Sequence, residues 1–105
     1  MPKKYVEIPA SYHVGGTLVE VRRPTNCDDF VAGCSFLAVG YIEIAEKLSK
    51  GETQSDGSKR NTFYHELVHT ILDTMGETDL SKNEKFVSCF SSFLNEALEK
   101  AIFEE

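Results

Sequence analysis

Tryptophan is absent from this chain, proline occurs three times, and no apolar run approaches the length of a bilayer span. Without about twenty consecutive apolar residues there is no membrane-crossing helix, which excludes a membrane partner of that kind. Cysteine is also scarce: Cys27, Cys34 and Cys89 make an odd count with no Cys-x-x-Cys spacing. That argues against both a disulfide framework and a cysteine-rich zinc knuckle, and leaves reduced, packed thiols as the expectation. Basic charge is the minority sign, with eleven Lys and Arg against seventeen Asp and Glu and a formal charge of -6. Such a chain repels phosphate backbones, so nucleic acid is excluded as a partner. Met1-Pro2-Lys3-Lys4 leads into Tyr5-Val6-Glu7-Ile8-Pro9 instead of an apolar h-region, so no secretory signal is read and a cytoplasmic location is expected. What is present is 105 residues, 41% of them hydrophobic and 27% charged, which is enough for one small domain with one core.

The first half, 1–50, reads as strand and turn. Gly15-Gly16 between Ser11-Tyr12-His13-Val14 and Thr17-Leu18-Val19-Glu20-Val21-Arg22 predicts a hairpin with a two-residue connection. After the turn residues Pro24 to Asp29, the segment from Phe30 to Glu46 reads as two short strands bent at Gly33 and Gly40. In the second of these, Tyr41 to Glu46, Ile42 and Ile44 face the core and Tyr41, Glu43 and Ala45 face away. Residues 51–60 are polar and read as an exposed loop. The period then becomes helical: Phe63, Tyr64, Leu67, Val68, Ile71, Leu72 and Met75 form a stripe over 61–76 that ends at Gly76. A second helix is predicted over 81–103, with Phe86, Phe90, Phe93 and Ala97 on one track and Val87, Leu94 and Leu98 on the next. The expected architecture is α+β, a small antiparallel twisted sheet packed on two C-terminal helices.

The first helix contains His65-Glu66-Leu67-Val68-His69, the HExxH pattern. One helical turn stacks His65 and His69 on one face, where both imidazoles reach a single cation, and Glu66 projects beside them. Neutral imidazoles hold Zn²⁺ without cancelling its charge, and a neighbouring carboxylate can take a proton from the attacking water. The residues after His69, Thr70-Ile71-Leu72-Asp73-Thr74-Met75, lack the Gly and His of the HExxHxxGxxH pattern. The third ligand is therefore sought among the carboxylates Asp73, Glu77, Asp79 and Glu84.

Asp73 lies one turn beyond His69, better placed to orient a ligand than to bind from a third direction. Glu77 and Asp79 sit in the connecting turn and are less rigidly held. Glu84 opens the second helix, whose near-antiparallel return brings its carboxylate to the histidine face. A second reading competes at this position. Ser81-Lys82-Asn83-Glu84 also fits a capping box, with Ser81 as N-cap and Glu84 bonding back to it.

The run His65-Glu66-Leu67-Val68-His69-Thr70-Ile71-Leu72-Asp73, followed by Asn83-Glu84-Lys85-Phe86, resembles the gluzincin zinc peptidases, with HExxH on one helix and a Glu ligand on the next. The resemblance is closest to the minimal, single-domain metallopeptidase-like proteins encoded by phages and prophages. It implies zinc on His65, His69 and Glu84, Glu66 as general base and acid, and Asp73 as a carboxylate that orients a ligand histidine. It also implies an edge strand along the cleft, matched here to Tyr41, Ile42, Glu43 and Ile44. No His or Tyr downstream of Glu84 offers itself as an oxyanion donor, which leaves Tyr41, Tyr12 and His13 as candidates.

The function expected is zinc-dependent hydrolysis of a peptide or protein substrate through a metal-activated water. The alternatives are a catalytically silent zinc-binding domain, in which the metal staples a thin core, and an adaptor that binds peptide on its edge strand. The expected state is a monomer or a weak homodimer formed through a free strand edge.

Overall fold

The computed structural model describes residues 7–27, 31–48, 51–102 and 104. The N-terminal run before Glu7, the Asp28-Asp29 part of the turn and residue 103 of the second predicted helix lie outside the described residues. The fold is α+β, with the sheet in the N-terminal part and the helices after it. The strands are β1 (Ser11–Val14), β2 (Thr17–Arg22), β3 (Gly33–Phe36) and β4 (Tyr41–Ile44), and the helices are α1 (Asp56–Met75), α2 (Thr78–Lys82) and α3 (Glu84–Glu99). No helix among the described residues is long and apolar enough to cross a membrane.

The hairpin β1–β2 forms as its turn requires, with Gly15 and Gly16 at φ of +55° and +83°, the left-handed values that match strand twist. The second hairpin, β3–β4, turns through a short 3-10 segment, Leu37–Val39, and a left-handed Gly40. The sheet order is β1-β2-β4-β3, and β2 runs parallel to β4, so the sheet is mixed where an antiparallel one was expected. The cause is burial. The chain leaving β2 steps over one strand position, forms β3 at the edge, and returns through the vacant slot as β4. That central slot suits β4, whose Ile42 and Ile44 are fully buried, and not β3, whose inward positions are Gly33 and Ser35.

Register sorts the two faces. Residues paired across the ladder share a face, so Tyr12, Val19, Val21, Ile42, Ile44, Gly33 and Ser35 point toward α1. His13, Leu18, Tyr41, Glu43 and Phe36 point to the other side. Val19, Ile42 and Ile44 pack with Phe63 and Tyr64 of α1, while Val68 and Leu72 pack with Val87 of α3. The Val87, Ser91 and Leu94 track of α3 thus faces inward, as its spacing predicts.

Residues 51–60 are not one exposed loop. The first helix starts at Asp56, capped by the Ser55 side chain, which accepts a hydrogen bond from the Ser58 amide. Gln54 is buried: its amide group donates to the Ala45 carbonyl, and its carbonyl accepts from the hydroxyls of Ser58 and Thr62. Lys59 is buried against Glu46. Polar residues pack here because each finds a partner, which composition does not reveal. The second predicted helix is likewise divided. Ser81 lies inside α2, and Asn83 caps α3 by accepting from the Phe86 amide, so the Ser81–Glu84 capping box does not form.

Candidate metal centre

Helix α1 is fixed on both sides, by the sheet through Phe63 and Tyr64 and by α3 through Val68 and Leu72. Its remaining face carries His65 and His69, whose ring centroids are 4.9 Å apart. The short α2 reverses the chain, and Glu84, the first residue of α3, returns to that face. Its carboxylate oxygens lie 3.2 Å from Nε2 of His65 and 3.3 Å from Nε2 of His69.

Those separations permit a test of fit. Zinc bonds of 2.0–2.1 Å in a tetrahedron set ligand atoms about 3.3 Å apart. Each histidine stands at about that distance from one of the two Glu84 carboxylate oxygens, and one donor atom from each of the three residues lies within 4.8 Å of the others. Protonation supports the same conclusion. Burial, aided by the neighbouring His69, pushes the His65 pKa below the usual imidazole value despite the opposing charge of Glu84. The Ser81 hydroxyl lies 3.1 Å from Nδ1 of His69, and in the tautomer whose Nδ1–H donates a hydrogen bond to it the Nε2 lone pair is on the side of Glu84. Two imidazole Nε2 atoms and a carboxylate that face one another make a donor set for a cation. His65, His69 and Glu84 could therefore hold a metal ion.

Glu66 is buried beside this cluster, with 6% of its surface exposed. Burial first, and then the negative charge of Glu84, push its pKa up to about 7, against a hydrogen bond from Ser35 that favours the carboxylate. Gly33 permits this closeness. A Cβ at that position would lie 2.5 Å from the Thr62 methyl, 2.8 Å from the Glu43 carbonyl oxygen and 3.3 Å from Cγ of Glu66. Above the cluster opens a cleft of about 490 Å³, bordered by Val31, Ala32, Gly33 and Ser35 on one side and by Asn61 and Thr62 of α1 on the other.

Several expected participants stand elsewhere. The strand along the cleft is β3, not Tyr41-Ile42-Glu43-Ile44, because β4 is paired on both edges while β3 is paired on one. Tyr41 and His13 lie on the sheet face away from α1; Tyr41 packs there between Phe36 and the guanidinium of Arg22. Tyr12 faces inward, but its hydroxyl bonds Thr70 at 2.9 Å and does not border the cleft. Asp73 is exposed on α1, and the Nδ1 partner of His69 is Ser81 instead.

Gly33, Ser35 and Ser81 are thus the site residues that sequence reasoning missed. Gly33 is legible as a bend and Ser81 as a cap, but a hydroxyl that bonds across the fold leaves no spacing signal. Comparison of the chain with protein-family models, curated proteins and solved structures gave no significant match.

Proposed function

We propose that this protein is a small zinc-dependent metallopeptidase of the HExxH-plus-Glu type. The observation that carries the reading is the convergence of His65, His69 and Glu84, one donor atom from each within 4.8 Å of the others, next to a buried Glu66. Zinc, when bound, supplies Lewis acidity for the scissile carbonyl and for the attacking water. Glu66 takes the proton of that water and delivers it to the leaving amine, a role suited to a carboxyl whose pKa is raised to about 7. Ser35 stands beside Glu66 and favours its carboxylate form. The open edge of β3 offers main-chain donors and acceptors to an extended peptide, which fits a peptide or protein substrate.

One observation favours a second reading, a catalytically silent domain in which zinc ties α1 to α3. Apart from the two histidines, no Tyr, His, Lys or Arg borders the cleft among the described residues, so no side-chain cation or phenol is placed to stabilise an oxyanion. Metal analysis combined with cleavage of an unstructured polypeptide separates the two. Stoichiometric zinc in the wild type and in Glu66→Gln, with cleavage slowed about 100-fold or more by the substitution, supports the peptidase. Zinc without cleavage in the wild type leaves the silent domain, and no zinc after reconstitution removes both.

A further inference from the structure

Helix α3 buries one track and leaves another bare. Phe90 is 51% exposed and Phe93 70%, Ala97 is exposed, and Phe86 is partly covered while stacking on Phe90 at 5.8 Å. These four positions are spaced 4, 3 and 4 residues apart, the stripe of a helix that packs along another helix. Phe86, Cys89, Phe90 and Phe93 border an apolar groove of about 420 Å³. None of these residues belongs to the metal centre.

The stripe is complementary to itself when reversed. Placed antiparallel on a two-fold axis between Phe90 and Phe93, each Phe90 meets the other copy's Phe93, and each Phe86 meets the other copy's Ala97. Large residues then oppose small ones at the ends and rings stack at the centre, as interdigitating layers require. Charge agrees with the register. Lys85 and Glu96 are both exposed on the same flank of the stripe, and neither forms an ion pair with another described residue. In the antiparallel arrangement like flanks adjoin, so Lys85 of each copy comes beside Glu96 of the other, twice per dimer.

We propose that this face of α3 is the docking surface for a second copy of the chain, giving a two-fold antiparallel α3–α3 dimer. The exposed rings supply roughly 250 Å² per copy, well under the ~800 Å² per partner of a standard stable interface, so the dimer is weak and concentration-dependent. It uses the helix stripe and not a strand edge, and the groove it fills shares no bordering residue with the cleft at the candidate metal centre.

Sedimentation equilibrium of the full chain from micromolar to millimolar concentration, under reductant so that Cys89 cannot cross-link, tests the dimer. The expected result is a reversible monomer–dimer equilibrium that Phe93→Glu abolishes while its circular dichroism stays that of the wild type. Lys85→Glu and Glu96→Lys should each weaken association about three- to tenfold, and the double variant should recover it. A monomer at all concentrations, dimerisation that survives Phe93→Glu, or a double variant as weak as the singles overturns the proposal. Chelation of metal should leave the dimer unchanged, so a failure here is separate from any failure of the metal reading.

Discussion

Ser81 and His69 are joined by a hydrogen bond of 3.1 Å between a serine hydroxyl on α2 and imidazole Nδ1 on α1. The five-residue α2, short as it is, thereby orients a candidate metal ligand on another helix. Loss of such an outer partner costs 10- to 100-fold in metal affinity in comparable sites, on the order of the effect expected for Ser81→Ala. Competition with a chromophoric chelator measures it, and an unchanged affinity would show that Ser81 does not act on His69.

The two neighbours Asn83 and Glu84 should separate cleanly. Asn83→Ala removes the cap of α3 and should cost about 1 kcal/mol in denaturant unfolding with zinc still bound. Glu84→Ala removes the third candidate ligand from an exposed position and, on the proposed reading, should abolish stoichiometric zinc with little change in the stability of the metal-free protein. The opposite assignment of losses would return Glu84 to a capping role.

Gly33→Ala places a methyl group 2.5 Å from Thr62 and 2.8 Å from a backbone oxygen that cannot move aside. A destabilisation of about 1–3 kcal/mol is expected, together with a shift of β3 away from Glu66. Equilibrium unfolding reads the first effect. If the variant is as stable as the wild type, the close contact between β3 and α1 is wrong.

Glu66 makes the metal-free protein sensitive to pH. Its folded pKa, about 7, lies above its ordinary value of 4.5, so folding favours the neutral carboxyl. Its contribution is present in full below the ordinary value and is lost as pH rises through about 7, a decline of roughly 3 kcal/mol. His65 acts in the opposite sense, because its depressed pKa penalises the folded state at acid pH. The difference between wild type and Glu66→Gln isolates the carboxyl: in metal-free urea unfolding between pH 4.5 and 8, the gap should move toward the Gln variant as pH rises. A gap independent of pH would contradict the burial of an ionisable Glu66.

Gln54 ties the end of β4 to the start of α1 through three hydrogen bonds. Gln54→Ala strands a buried carbonyl and two hydroxyls, and should cost about 2–3 kcal/mol with faster amide exchange over the first turns of α1. Exchange confined to the wild-type pattern would mean that the Ser55 cap alone holds that helix start.

The features legible in the order of residues are local in origin. The Gly15-Gly16 turn, the Ile42/Ile44 alternation and the HExxH spacing each depend on residues within a few positions of one another. Even Glu84 is accessible, because a short helix reversal limits where the chain can return. The start of α1 is not legible, since Gln54 and Lys59 look like solvent residues until their partners at Ala45, Thr62 and Glu46 are in place. Ser81 falls in a sequence pattern that fits a cap, while Asn83, two residues on, makes the actual one.

The sequence by itself determined one hairpin, two further short strands, a helix that presents two histidines on one face, and a shortlist of acids for the third position. These follow from the strand and helix periods, which the order of residues dictates. The tertiary structure decided the rest: that β4 takes the central slot and β3 the edge, that Gly33 and Ser35 meet Glu66, and that Ser81 meets His69. Each of those contacts joins segments whose distance along the chain carries no pattern. They are set by which apolar strand must be covered on both sides and which polar atoms must find partners once it is.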